Sequence, residues 1–194
     1  LQILLEKTIS EKLKASNPLV IDKDNKDMLS FGLPGNLMSV QSAIDESKND
    51  VLLNKANPFN GTLLHSSLVK KVGYIKKEMF IWGDETEYFR RISYYGYKFG
   101  TIVNAYFYHP TSKTIFKEKL FGKIRVAKKP EHLEMNYYRN QGYLNRKYGN
   151  IFSHKIAIKI FIFFILEAKF KKAFLSLAYY LDGLLNKFKL NNII

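Results

Sequence analysis

An α/β domain followed by a basic, mainly helical region is the architecture this sequence predicts. Three observations carry that reading: strand-like and helix-like patterns intermix as far as Tyr108, helical periodicity dominates beyond Thr111, and the charge balance changes between the two. Residues 1–110 hold 14 Lys/Arg against 12 Asp/Glu, a net of +2, whereas residues 111–194 hold 17 against 5, a net of +12. The front reads as a nearly neutral globular module. The back reads either as a segment facing something anionic, such as lipid head groups or nucleic acid, or as lysines solvated on helix surfaces.

The 194 residues correspond to one domain or one and a half at roughly 100 to 200 residues per domain. With 46% apolar residues, 15 Phe and 13 Tyr, the chain can bury enough surface to offset its ordering entropy, which excludes global disorder. Cysteine is absent, so disulfide scaffolds, thiolate zinc sites, iron–sulfur clusters and cysteine nucleophiles are excluded together. The longest nearly uncharged run, Ile156 to Leu166, is interrupted by Lys159 and falls short of the ~20 apolar residues that a membrane-spanning helix needs. The opening Leu1-Gln2-Ile3-Leu4-Leu5-Glu6 has no initiator Met, basic n-region or small-residue cleavage site, and it reads as a chain entered mid-protein.

Leu1 to about Ala15 places Leu1, Leu4, Leu5, Ile9 and Leu13 at helical spacing and predicts an amphipathic helix. Residues 17–57, with Pro18, Pro34, Gly35 and scattered Asp, Asn and Ser, read as irregular loop with short strands or turns, given the short apolar pieces at Leu19-Val20-Ile21 and Val51-Leu52-Leu53. Phe59 to Leu64 reads as a buried strand or strand end, followed by a short helix capped by Ser66 or Ser67 and closed at Gly73. A helix is predicted from Asp84 to about Tyr95, stopped by Gly96. Tyr97 to Tyr108 then alternates as a strand, with Ala105, Phe107 and His109 on one face and Asn104, Tyr106 and Tyr108 on the other, ended by Pro110. Helices are expected over Leu120–Lys128, Glu131–Tyr148, Ile156–Phe170 and Lys172–Phe188, the last open to interruption at Asp182-Gly183.

Asp84, Glu85 and Glu87 form the densest acidic cluster, between Trp82-Gly83 and the helix start. Two readings stand: a helix start, with Asp84 and Glu87 at capping-box spacing and Glu87 with Arg91 as an i,i+4 pair, or a site. They are compatible, because the positive end of the helix dipole favours an ionised carboxylate, as a general base requires. His109, at a strand end, is a packed or solvated side chain or a metal ligand. Gly61 permits close backbone approach of a ligand, or marks a bulge.

The order of these features, Phe59-Asn60-Gly61-Thr62-Leu63-Leu64, Leu68 to Gly73, Phe80 to Arg91, Gly96 and His109, resembles family 2 glycosyltransferases. The likeness is closest to galactofuranosyl- and rhamnosyltransferase-like members that build bacterial surface polysaccharides. It spans about residues 57–185, is strongest over Trp82 to Arg91, and includes Tyr137-Tyr138-Arg139-Asn140 and Asp182-Gly183 of the basic C-terminal part. It implies the C-terminal part of a GT-A fold, with 1–112 the acceptor-side half of a catalytic domain and 113–194 a basic amphipathic helical tail. It also implies inverting transfer from a nucleotide-sugar donor, assisted by a divalent cation (Mg2+ or Mn2+), onto a growing polysaccharide or lipid-linked glycan. The expected location is cytoplasmic, peripheral at the inner face of the plasma membrane and touching anionic lipid.

By the same resemblance Glu85 falls where these enzymes place the base, with Asp84 its neighbour, and His109 where several supply a metal ligand. Trp82 and the Gly61-Thr62 turn fall in the region lining the acceptor pocket. Two departures accompany the match. The base position commonly holds Asp, so Glu85 leaves Asp84 a rival for the role. Asp22-Lys23-Asp24 has Asp-x-Asp spacing but follows the first helix, and it reads as a loop decoy. Leu1 to Ala15 looks like the helix that comes after the family's Asp-x-Asp, so the chain is expected to be the back half of the enzyme, inactive alone. The alternative from another class is a basic, non-enzymatic nucleic-acid-binding module. The helical spacing of Phe161, Phe164, Leu166 and Phe170 beside Leu and Ile favours packing or membrane contact over base stacking, and no nucleic-acid partner is expected.

Overall fold

The computed structural model describes residues 1–56, 59–111 and 115–188. They form two compact units, Leu1–Ile75 with Tyr88–Lys113, and Lys76–Glu87 with Thr114–Ile194.

In the first unit, helix α1 (Gln2–Ser10) leads into strand β1 (Ala15–Asp22). α1 is shorter than its pattern predicts because Lys12 turns into the left-handed region at φ 55°, which lets the chain enter the sheet at Ala15. Strands β2 (Met28–Leu33), β3 (Leu37–Ser39), β4 (Val51–Leu53), β5 (Leu63–Leu64) and β6 (Phe99–His109) complete it in the order β3-β2-β1-β6-β4, with β5 also beside β1. β1 and β6 run parallel, and every other pairing is antiparallel.

The irregular loop expected from residue 17 is corrected at β1, which is buried from Ala15 through Ile21. A strand covered on both faces loses the alternation that betrays half-buried strands. Pro18 is accommodated at a register shift between Pro18 and Leu19, where the ladder to β6 slips. Ser16 is buried beside Thr8, its hydroxyl 2.6 Å from that of Thr8, which pins α1 to the strand. The Val51–Leu53 piece, which the sequence leaves between short strand and turn, is a strand, while the predicted strand over Phe59–Leu64 shrinks to Leu63–Leu64.

Leu19, Ile21, Leu29, Leu33, Leu52 and Val103 form one core cluster with Ala43 of helix α2 (Val40–Glu46). Helices α3 (Ser66–Val72) and α4 (Asp84–Tyr94) supply Leu68, Val72, Tyr88, Phe89 and Ile92 to another with Ala15 and Phe99. The cap of α3 is His65 rather than a serine: its ring nitrogen accepts the Ser67 N–H at 3.1 Å. Gly73 (φ 83°) and Gly96 (φ 75°) close α3 and α4 where the sequence places them. β6 is buried continuously from Phe99 to Val103, and the inside–outside contrast appears only at Asn104 and Ala105. Phe107, expected on the Ala105 face, is exposed.

The second unit begins with a correction. The helix expected over Leu120–Lys128 is instead the turn and second strand of a hairpin, β7 (Phe116–Lys119) paired antiparallel with β8 (Ile124–Ala127). Leu120, Phe121 and Gly122 all have positive φ, which ends any helix there. Ile124 and Val126 point inward, whereas Arg125 lies outside over the Phe116 ring at 4.0 Å. Helices α5 (Glu134–Tyr148), α6 (Lys155–Leu166) and α7 (Phe170–Leu184) follow. Tyr138, Ile160, Phe163, Phe164 and Ala173 build a core with the two inward hairpin residues.

Asp182-Gly183 does not interrupt α7. A β-carbon on Gly183 would lie 1.8 Å from the Arg139 carbonyl oxygen, and one on Gly142 would lie 2.1 Å from that of Tyr180. The two glycines let the backbones of α5 and α7 touch, a packing role that outweighs their cost to the helices. Alanine in a helix interior is ordinarily the better residue by about 1 kcal/mol. Gly183→Ala should nevertheless lower stability by about 1–3 kcal/mol, the range for overpacking. Urea denaturation beside wild type checks this, and a stabilised variant would mean that the two backbones do not touch.

Candidate functional site

The candidate site grows from residues 76–87, which the second unit folds against α5. A 3-10 turn at Lys77–Met79 is followed by Phe80 at φ 62°, ψ −59°, Trp82 at φ 60° and Gly83 at φ 122°. Such conformations cost of order 1–3 kcal/mol each in non-glycine residues and persist only where surrounding structure imposes them. Asn140 imposes them here. Fully buried on α5, its Nδ2 donates to the carbonyls of Met79 at 2.8 Å, Ile81 at 2.9 Å and Trp82 at 3.3 Å. The preceding residue, Arg139, donates from Nη2 to the Glu78 carbonyl at 3.1 Å. Gly83 completes the wrap: a β-carbon there would come within 3.0 Å of Leu144 Cδ1.

The loop delivers Asp84 and Glu85, both half-buried, into the first turn of α4. The helix dipole and the backbone N–H groups of Asp84 and Glu85 favour an ionised Asp84, yet burial prevails and raises its pKa. Glu85 is pushed up to about 7, first by burial and then by the charge of Asp84 beside it. The expectation that the helix start alone keeps these acids ionised is thus modified by desolvation. Glu87 is buried and belongs to a different arrangement: it accepts from the Tyr148 hydroxyl at 2.9 Å and lies 3.4 Å from Lys147 Nζ. Burial, then the hydrogen bond to Glu87, raises the Tyr148 phenol to about 12. Arg91, the expected helical partner of Glu87, donates to the carbonyls of Val72 and Tyr74.

Trp82 presents its ring edge-on to Tyr137, with centroids 6.5 Å apart. Lys129 Nζ sits 4.5 Å from the Trp82 centroid and 5.1 Å from that of Tyr137, and burial lowers its pKa. An aromatic pair with an ammonium group over it, two residues before a carboxylate pair, suits an amphipathic ligand carrying both C–H faces and hydroxyls. Trp82, Asp84 and Glu85 are therefore brought together within one segment of the second unit. Lys129, Tyr137 and Asn140 are the residues that sequence reasoning left without a role. Tyr137 and Asn140 stand in the quoted Tyr137-Tyr138-Arg139-Asn140 run, whose spacing gives no sign that it holds a loop some 60 positions upstream.

Gly61, Thr62 and His109 belong to the first unit. Gly61 has φ 76°, and a β-carbon there would meet Pro18 at 3.0 Å and Phe107 at 3.2 Å, so its close approach is to β1 and β6. The Thr62 hydroxyl is buried with no hydrogen-bond partner among the described residues. His109 ends β6 opposite Asp22, its Nδ1 2.6 Å from the Pro110 carbonyl and its ring 5.1 Å from that of Phe31. Asp22 closes a local turn by accepting the Asp24 N–H at 3.0 Å. Among the described residues no three His, Asp or Glu side chains converge as a metal site.

Asn140→Asp keeps the side-chain volume but turns acceptor oxygens toward three carbonyls. We expect a loss of at least about 2 kcal/mol, the scale for buried polar groups left unsatisfied. Trp82 is the only tryptophan, so its emission reports the loop directly. Guanidinium unfolding and tryptophan fluorescence that both match wild type would contradict the role given to Asn140.

Compared with known proteins, the chain is similar to galactofuranosyltransferase GlfT1 of Mycolicibacterium smegmatis, 30% identical over 151 residues, which are 74% of this chain and 50% of that protein. It is also 32% identical over 133 residues to galactofuranosyltransferase GlfT1 of Mycobacterium tuberculosis, 66% of this chain and 43% of the relative. The chain thus spans about half the length of the curated relatives it matches. No family model matches, and no solved structure matches. The similarity supports a glycosyltransferase, and the mixed α/β sheet of the first unit fits such a fold.

Proposed function

We propose that this chain forms the acceptor-side part of an inverting, family 2 glycosyltransferase of GT-A fold. It would transfer a sugar from a nucleotide-sugar donor to a growing surface polysaccharide or lipid-linked glycan, in peripheral contact with the inner face of the plasma membrane. The observation that carries the proposal is Glu85, a half-buried carboxyl raised to about 7 in the first turn of α4, directly after a loop locked by Asn140. A base with its pKa near the working pH combines the ionised form with useful proton affinity. Glu85 takes the proton of the acceptor hydroxyl as that oxygen bonds to the anomeric carbon and the carbon–diphosphate bond breaks, and this single displacement inverts the centre. Asp84 raises the proton affinity of Glu85 through its charge and remains the rival base. Trp82, with Tyr137 and Lys129, flanks the acceptor sugar.

The resemblance adds a divalent cation, Mg2+ or Mn2+, which would offset charge on the diphosphate and take one ligand from His109. His109 would be this chain's contribution to that site, and the proton transfer proposed for this chain is that of Glu85 or its neighbour Asp84.

In the native protein, Glu85→Gln should reduce transfer by about 100- to 10,000-fold, the usual scale for general-base loss. The acidic limb of the wild-type pH–rate profile should fall near 7, and Asp84→Asn should move it to lower pH by removing the neighbouring charge. If Asp84→Asn abolishes turnover while Glu85→Gln retains it, the base is Asp84. Stability should show the complementary sign. Folded Glu85 holds its proton from the ordinary value of 4.5 up to about 7, so its contribution is fully present at acid pH and is lost as pH rises through that window. Glu85→Gln should flatten this slope in thermal melts across pH, and an unchanged slope would place Glu85 in solvent.

A further inference from the structure

Among the described residues, apolar side chains stay exposed along the outer face of α6 and α7. On α6, Ile158, Ile162 and Leu166 recur at i, i+4 and i+8 and are exposed, while Ile160, Phe163 and Phe164 opposite are buried. On α7, Phe170, Phe174 and Leu181 are exposed, while Ala173, Ser176 and Tyr180 face the core. The two stripes meet where the Phe161 and Phe174 rings contact edge to face, 5.4 Å apart. At the junction of α6 and α7, Glu167 pairs with Lys119 at 2.5 Å, which brings the β7–β8 turn alongside. That turn exposes Leu120 and, completely, Phe121. Exposed apolar residues that recur over two helices and a hairpin tip exceed the scattered single ones of an ordinary surface.

Charge identifies what covers them. Lys117 and Lys123 flank the turn, Lys155 and Lys159 lie on α6, and Lys169 and Lys171 lie at the start of α7, all exposed. The acids among them are already engaged: Glu118 by Arg125, Glu131 by Lys172, and Glu167 by both Lys119 and Lys169. The surplus therefore stays cationic, as the +12 of residues 111–194 requires. A second copy would bring two such surfaces together against like-charge repulsion. Nucleic acid would leave the aliphatic Ile158, Ile162, Leu166 and Leu181 unused, since these offer no stacking faces. Apolar stripes edged by lysine suit an interface of anionic head groups over acyl chains. Among the described residues no helix is long and apolar enough to cross a membrane, so the contact lies in the interface plane.

We propose that the outer face of α6 and α7, with the Leu120-Phe121 turn, is a docking surface for an anionic lipid bilayer into which Phe121, Phe170 and Phe174 insert. This deepens the membrane contact proposed above and rests on that reading for its purpose, presenting a lipid-linked acceptor. Its test needs neither donor nor turnover, so its failure is distinguishable from failure of the transferase assignment.

The test is flotation of the 194-residue chain with phosphatidylglycerol or phosphatidylcholine vesicles, at low and high salt. Binding to phosphatidylglycerol at low salt should exceed binding to phosphatidylcholine by about tenfold or more. It should weaken as salt rises. Phe121→Ser with Phe174→Ser should cut it by about tenfold, as apolar area is lost from the interface. Lys155→Glu with Lys159→Glu should cut it similarly, and circular dichroism should show each pair folded. Absence of binding to phosphatidylglycerol, binding indifferent to the Phe substitutions, or displacement of the vesicles by a single-stranded oligonucleotide would each overturn the proposal. So would a stable dimer in sedimentation that dissociates on Phe174→Ser.

Discussion

Three carbonyl oxygens converging on one amide nitrogen hold the candidate site in place. Asn140 stands on α5, and the carbonyls of Met79, Ile81 and Trp82 turn inward to reach it because the backbone takes left-handed conformations at Phe80, Trp82 and Gly83. Buried peptide groups in a loop have no ladder to satisfy them, and a fully buried side-chain donor supplies that need at the expense of local strain. The arrangement also depends on the fit of α5 to α7, where Gly142 and Gly183 allow backbone contact. A fixed α5 fixes Asn140, Asn140 fixes the loop, and the loop fixes where Asp84 and Glu85 emerge.

The electrostatic consequence follows from position. Two carboxyl groups in adjacent positions, each partly withdrawn from water, cannot both ionise easily, and Glu85 bears the larger displacement. One position-pair further on, Glu87 is more deeply buried but is met by Tyr148 and Lys147. The same short acidic run thus divides into a buried group with partners, Glu87, and a half-buried pair whose pKa values are raised by desolvation. That division favours a site over a mere helix start, since a cap alone has no use for a displaced carboxyl.

Much of this was legible in the sequence, and the misses have physical causes. The start of α4 at Asp84, its stop before Gly96 and the end of β6 at Pro110 follow from capping, glycine and proline rules that act over a few residues. β1 escaped because strands buried on both faces carry no alternation and because Pro18 reads as a breaker until a register shift accommodates it. The turn and second strand of the hairpin read as the helix expected over Leu120–Lys128 because their mix of basic and apolar residues suits either state, and the positive φ values at Leu120 and Phe121 have no signature in those residue types. The acid pair and Trp82 were visible from composition and order. The support given by Asn140 was not, since a contact between residues about 60 apart in sequence leaves no periodicity to read.

The central claim is that Glu85 is held half-buried beside Asp84 at the start of α4 by a loop locked by Asn140. Carbon-13 NMR titration of the Glu85 side-chain carboxyl in the 194-residue chain tests it most directly. The account predicts a midpoint near 7 in the wild type, moving toward the ordinary 4.5 in Asn140→Asp as the loop releases the carboxyl to water. A wild-type midpoint already at 4.5 would contradict it.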